Sequence, residues 1–125
     1  SRSDFEDALR EAFKALNRPD QLHDNPLLYS RVVTSAVGRD ADAPERIDAL
    51  CSLLEETAER LAADPRDEKY YRAVRRTYLQ PAPTQEKAAE QLGVPFSTFR
   101  RHLNRGLDRV AEILWDEEVG AAKGG

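Results

Sequence analysis

Residues 84–110 read TQEKAAEQLGVPFSTFRRHLNRGLDRV, and the sense of the stretch turns on Gly93. Upstream of it, Thr84 is a helix cap, and Ala88, Ala89 and Leu92 supply an unusually small apolar face. Two adjacent alanines let another helix approach closely, as a steep crossing of short helices requires. Gly93 suits the left-handed position that ends a helix. Val94 then plugs the turn, and Pro95 opens a second helix at or near its first position, where its missing N–H costs nothing. That helix turns Phe99, Leu103, Leu107, Val110 and Leu114 inward, while Phe96, Ser97, Arg100, Arg101 and Asn104 share the opposite side of its leading end.

A short helix, a tight glycine turn and a second helix with a cationic leading end follow the grammar of a helix-turn-helix. The chemistry suits double-stranded DNA. Arginine bonds O6 and N7 of guanine in a bidentate fork, and asparagine pairs N6 and N7 of adenine. Ser97, Thr98 and the first-helix N–H groups at Thr84 and Gln85 suit phosphates. The candidate DNA-contacting residues are therefore Thr84, Gln85, Phe96, Ser97, Thr98, Arg100, Arg101, Asn104 and Arg105, on a recognition helix of about Pro95–Arg109.

Charge along the chain supports this placement. The net charge of −4 argues weakly against nucleic acid, but it averages over unlike segments. Residues 1–65 carry eight Lys/Arg against fourteen Asp/Glu, a net of −6. Residues 66–106 carry nine against four, a net of +5, and residues 107–125 carry two against five, a net of −3. Such asymmetry points to a partner better than the total does.

Outward from the opening stretch, apolar periodicity predicts helix almost everywhere. Phe5, Leu9, Ala12, Phe13 and Leu16 form a first face, ended by the Asn17–Asp20 segment with its proline. Asn25-Pro26 is a start signal for a second helix with Leu28, Val32 and Ala36 on one face. Asp42 and Glu45 can form a capping box ahead of the stripe Ile47, Leu50, Leu54, Ala58 and Leu61. A fourth helix is expected over Arg66–Leu79, followed by a stiff Pro81-Ala82-Pro83 connector. The expected fold is all-α: about six helices in a bundle ending in a helix-turn-helix. The expected organisation is a helical scaffold or partner-binding half at 1–65, a DNA-binding half at 66–118 and a flexible tail at 119–125.

The opening stretch resembles the helix-turn-helix of sigma-factor region 4 and of LuxR-type regulators. The matching residues are Glu86, Ala88, Ala89, Leu92, Gly93, Val94, Ser97, Thr98, Phe99, Arg100, Arg101, His102 and Leu103, within residues 66–114. By that resemblance Thr98 and Arg100 contact DNA, and Phe99 and Leu103 belong to the core. The chain departs from the pattern at Pro95, where the family has a serine cap, and at Phe99, where it has a small aliphatic residue. The resemblance implies a bacterial transcriptional regulator, or the C-terminal DNA-binding module of a larger one.

Other chemistries find little here. No phosphate-cradling glycine loop, Gly-x-Ser-x-Gly turn or His-Glu-x-x-His occurs, so no enzyme and no cofactor are expected. His23 and His102 lack companions at metal-ligand spacing. No apolar run approaches the roughly 20 residues of a membrane helix. The single Cys51, beside Leu50 on an apolar stripe, reads as a buried thiol in a reducing, cytoplasmic protein. Trp115 reads as a core anchor. The ends, SRS and AAKGG, read as linkers of a piece from a longer parent. Residues 1–65 are then expected to meet another protein or the rest of that parent. A homodimer is expected to place two recognition helices on half-sites. The competing class is a protein-interaction module in which the helix-turn-helix only packs.

Overall fold

Four of the helix starts among the described residues follow capping side chains. In the computed structural model, which describes residues 1–124, the Ser1 hydroxyl accepts the Asp4 N–H at the start of α1 (Arg2–Lys14). Ser30 does the same for Val33 in α2 (Arg31–Val37). Asp42 and Glu45 form the expected reciprocal capping box at α3 (Ala43–Arg60), which satisfies two otherwise orphaned donors. The remaining helices are α4 (Glu68–Val74), α5 (Gln85–Leu92) and α6 (Phe96–Gly124). No strand occurs among the described residues, and the fold is an all-α bundle of six helices. No helix among the described residues is long and apolar enough to cross a membrane.

Three segments depart from expectation. The second helix does not run on from Asn25. Asn25 caps a 3-10 turn at Pro26–Tyr29, Ser30 turns extended, and α2 begins after it. Ala36 is consequently exposed, while Leu27, Leu28 and Val33 are buried. The fourth helix starts at Glu68 and ends in a π-turn at Arg75–Leu79, where Gln80 N–H reaches back to the Arg75 carbonyl (2.8 Å). The third is the segment expected to be a flexible tail from 119. α6 continues there as helix to Gly124, and Gly125 lies outside the described residues.

One core joins both halves of the chain. Leu9 and Phe13 of α1, Leu50 and Leu54 of α3, Val74 of α4 and Phe99, Val110 and Leu114 of α6 are all essentially inaccessible. Each such side chain contributes about 1.5–3 kcal/mol on burial. Residues 1–65 are thus packed along α6 rather than forming a unit of their own. Glu118 fastens the far end. Its carboxylate, 13% exposed, accepts the N–H groups of Arg31 (3.2 Å) and Val32 (3.0 Å) at the start of α2, where the helix dipole favours an anion. Trp115 is half-buried and meets Phe5 edge-on, with ring centroids 5.3 Å apart.

Two packing features were not legible as helical stripes. Arg46, on the core side of α3, is only 3% exposed. Its guanidinium donates to the carbonyls of Ala41, Leu28, Gly38 and Arg39 and to the Thr34 hydroxyl, at 2.9–3.3 Å. Gly106 lets α6 press against α4: a Cβ there would stand 2.6 Å from Val74 Cγ2 and 2.9 Å from the Tyr70 carbonyl oxygen.

Candidate nucleic-acid interface

The turn between α5 and α6 is built by its glycine. Thr84 Oγ1 accepts the Lys87 N–H (3.0 Å) to open α5. Gly93 closes the helix in the left-handed region, with φ 71° and ψ 31°. Its N–H reaches the Glu90 carbonyl, and the Val94 N–H reaches that of Ala89, both at 3.1 Å, so two carbonyls of the last turn are satisfied. Pro95 stands just ahead of α6 and offers its carbonyl to the Phe99 N–H (2.9 Å). Ala88 and Ala89 are buried, as the small face requires.

The candidate residues fall into three groups. Phe96, Ser97, Arg100, Arg101, Asn104 and Arg105 are exposed along the leading end of α6. The Phe96 ring, 42% exposed, is stacked near Phe99. Thr98 is half-buried, and its hydroxyl accepts a long bond from Arg101 (3.4 Å). At the start of α5, the Thr84 hydroxyl is engaged as a cap, and half-buried Gln85 accepts from Arg100 (2.6 Å). Phe99 and Leu103 lie in the core.

Electrostatics divide the cations of this region into two sets. Arg66, Arg72 and Lys87 each sit on a carboxylate, Asp64, Glu68 and Glu90 respectively. Arg109 lies within reach of Asp67 and Glu112. By contrast, Arg100, Arg101 and Arg105 have no carboxylate partner among the described residues; nor have Lys69, Arg75, which donates to Gln80 Oε1, and Arg76, which donates to Gln80 O and Gln91 Oε1. A neutral amide or hydroxyl orients a guanidinium and leaves its charge uncancelled. The positive field also reaches His102, which packs edge-on to Tyr70. Burial, then the like charges of Lys69 and Arg101, hold its imidazole below the usual range.

Two cations from the acidic half border the same helix and went unread in the sequence. Arg10 of α1 pairs with Asp108 (2.7 Å) and donates to the Asn104 amide oxygen (3.3 Å). Lys14, one turn later on α1, reaches the same side. Their spacing of four, flanking the stripe Phe5, Leu9 and Phe13, was the available signal. Elsewhere, burial above all raises the half-buried Cys51 thiol, with Glu55 and Asp48 adding to the shift, which favours its protonated form.

No protein-family model, curated protein or solved structure matches this chain.

Proposed function

We propose that this chain binds double-stranded DNA through a helix-turn-helix formed by α5, the Gly93 turn and α6, with the leading end of α6 in the major groove. The observation that carries this reading is the set Arg100, Arg101 and Arg105, exposed and without carboxylate partners, immediately beyond a left-handed glycine turn. Solvated cations with no internal partner are what counterion release from a phosphate backbone requires. Arg100 stands where base edges are met and Arg105 a turn later, so Arg100 reads a guanine and Arg105 a phosphate. The setting this implies, in line with the resemblance, is a bacterial transcriptional regulator or its DNA-binding module, at work in the cytoplasm.

Selection from a pool of random duplexes tests it. The wild-type chain enriches a defined sequence, and Arg100→Ala relaxes one position of it at a cost of about 1–3 kcal/mol. Arg105→Ala weakens all duplexes alike. Absence of enrichment and of duplex binding, with capture by polyglutamate instead, would establish the protein-interaction module.

A further inference from the structure

We propose that the cleft between α1 and the α5–α6 unit seats one backbone phosphate of the bound duplex, so that the acidic half of the chain contributes directly to the DNA interface. The inference rests on the reading of α6 as a recognition helix and adds a contact outside that motif.

The cleft has a volume of about 360 Å³. Arg10 and Lys14 enter it from α1, Arg100 from α6 and Tyr78 from the π-turn, and no carboxylate lines it. Tyr78 is half-buried, its ring packed on Phe13 with centroids 5.6 Å apart. No protein group among the described residues bonds its hydroxyl. Burial raises the Tyr78 phenol, ahead of the lowering by Lys14, Arg10 and Arg100 and with a further rise from Glu11; the phenol therefore stays protonated in a cleft that the same three cations line. Two carboxylates stand outside the lining: Glu11 near Lys14 (3.3 Å) and Asp108 on Arg10 (2.7 Å). Three cations against two carboxylates leave one positive charge beside the cleft, that of Arg100, which contact with a neutral guanine edge does not cancel. The first turn of α5 begins at Gln85, also in the lining, and adds the positive end of a helix dipole.

The opposite flank of α6 provides the contrast. A larger hollow there, about 630 Å³, is lined by four carboxylates and four cations, which gives an anion no net attraction. The α1-side cleft is also continuous with the row of residues facing the groove, since Arg100 and Asn104 belong to both. That continuity favours a phosphate of the duplex over a free phosphate compound.

The test uses the whole chain and a labelled duplex of arbitrary sequence, with anisotropy read across a salt series. Lys14 is 63% exposed at its side chain, so Lys14→Gln keeps the fold, and Tyr78→Phe keeps the ring on Phe13. Lys14→Gln is expected to flatten the slope of log K against log salt by about one. Tyr78→Phe is expected to weaken every duplex alike without changing the slope. Arg39→Gln, in the α2–α3 loop, serves as the control and changes neither. Duplex binding with an unchanged slope in Lys14→Gln overturns the cleft and leaves the reading of α6 intact. No duplex binding by the wild type overturns both. In a second arm, inorganic pyrophosphate alone is titrated against the amide resonance of Gln85 and the ring of Tyr78. Saturable shifts there that a duplex does not reproduce would make the cleft a seat for a free phosphate compound and overturn its assignment to DNA.

Discussion

In the α2–α3 corner, Arg46 is nearly inaccessible and directs its donors to four carbonyls and a hydroxyl, whereas at the start of α6 Arg100, Arg101 and Arg105 lie in solvent without a carboxylate between them. The residue type is the same and the physical situation opposite. A buried guanidinium is tolerated only when its donors are satisfied, and it then locks the groups that satisfy it. A solvated guanidinium adds little stability and keeps its charge available to a polyanion. Charge counts by segment therefore locate a partner only when joined to pairing. The +5 of residues 66–106 includes cations already held by carboxylates, and the acidic half places Arg10 and Lys14, themselves paired with Asp108 and Glu11, on the same face.

The largest effect is expected at Arg46. Arg46→Met should cost about 3 kcal/mol, because it strands several acceptors around the α2–α3 loop, the Leu28 carbonyl among them. Urea unfolding measures this, and duplex affinity of the folded fraction should not change. A neutral Arg46→Met would erase the distinction between the two arginine environments.

Two glycines of the basic half come next. Gly106→Ala should cost about 1–3 kcal/mol by forcing α6 away from Val74 and the Tyr70 carbonyl. Gly93→Val should cost a similar 1–3 kcal/mol, through backbone strain alone, since a Cβ there meets nothing within 4 Å. Gly93→Asn should be milder, because asparagine tolerates the left-handed region. Both Gly106→Ala and Gly93→Val keep every arginine. If calorimetry finds the two neutral while a basic patch still binds, the turn does not organise the surface.

The smallest expected effect is at His102. Its folded-state proton affinity lies below the ordinary value, so the unfolded chain binds the proton more readily. Stability is then complete above the ordinary histidine range and declines as pH falls through about 6.5. The groups facing the ring are Lys69 and Arg72 from α4 and Arg101 on its own helix. Phosphates drawn to these cations should raise the His102 affinity for its proton. An NMR titration of the ring with and without duplex should show that rise, and identical curves would place DNA elsewhere.

Much of the fold was legible because it is written locally. Thr84, Asp42 with Glu45, and Gly93 act within three or four residues of themselves, and each does what its type predicts. The inward stripe Phe99, Leu103, Leu107 and Val110 likewise follows from period alone. The exposed row on α6 follows as its complement. What was not legible depends on a distant partner. Nothing near Arg46 in sequence announces that the Leu28 carbonyl, eighteen residues earlier, will accept its proton. Gly106 reads as an ordinary helix-weakening residue until α4 lies against it. The π-turn carries Tyr78, whose ring packs on the distant Phe13. Arg10 and Lys14 read as the solvated side of α1 until that side is seen to border α6.

On the proposed reading, the arginines of α6 without carboxylate partners meet duplex DNA, Arg100 at a base edge and Arg101 and Arg105 at phosphates. Its most direct test is the salt dependence of duplex binding by the wild type and by the triple variant Arg100→Gln, Arg101→Gln, Arg105→Gln. Both should melt at the same temperature, since none of the three side chains is buried or held by a carboxylate. The wild type should bind at low salt and lose affinity linearly in log K against log salt, and the triple variant should lose about two units of that slope, near 0.9 for each phosphate contact of Arg101 and Arg105, together with the base preference read by Arg100. Equal slopes and affinities for the two proteins, or no duplex binding by the wild type at low salt, would contradict the account.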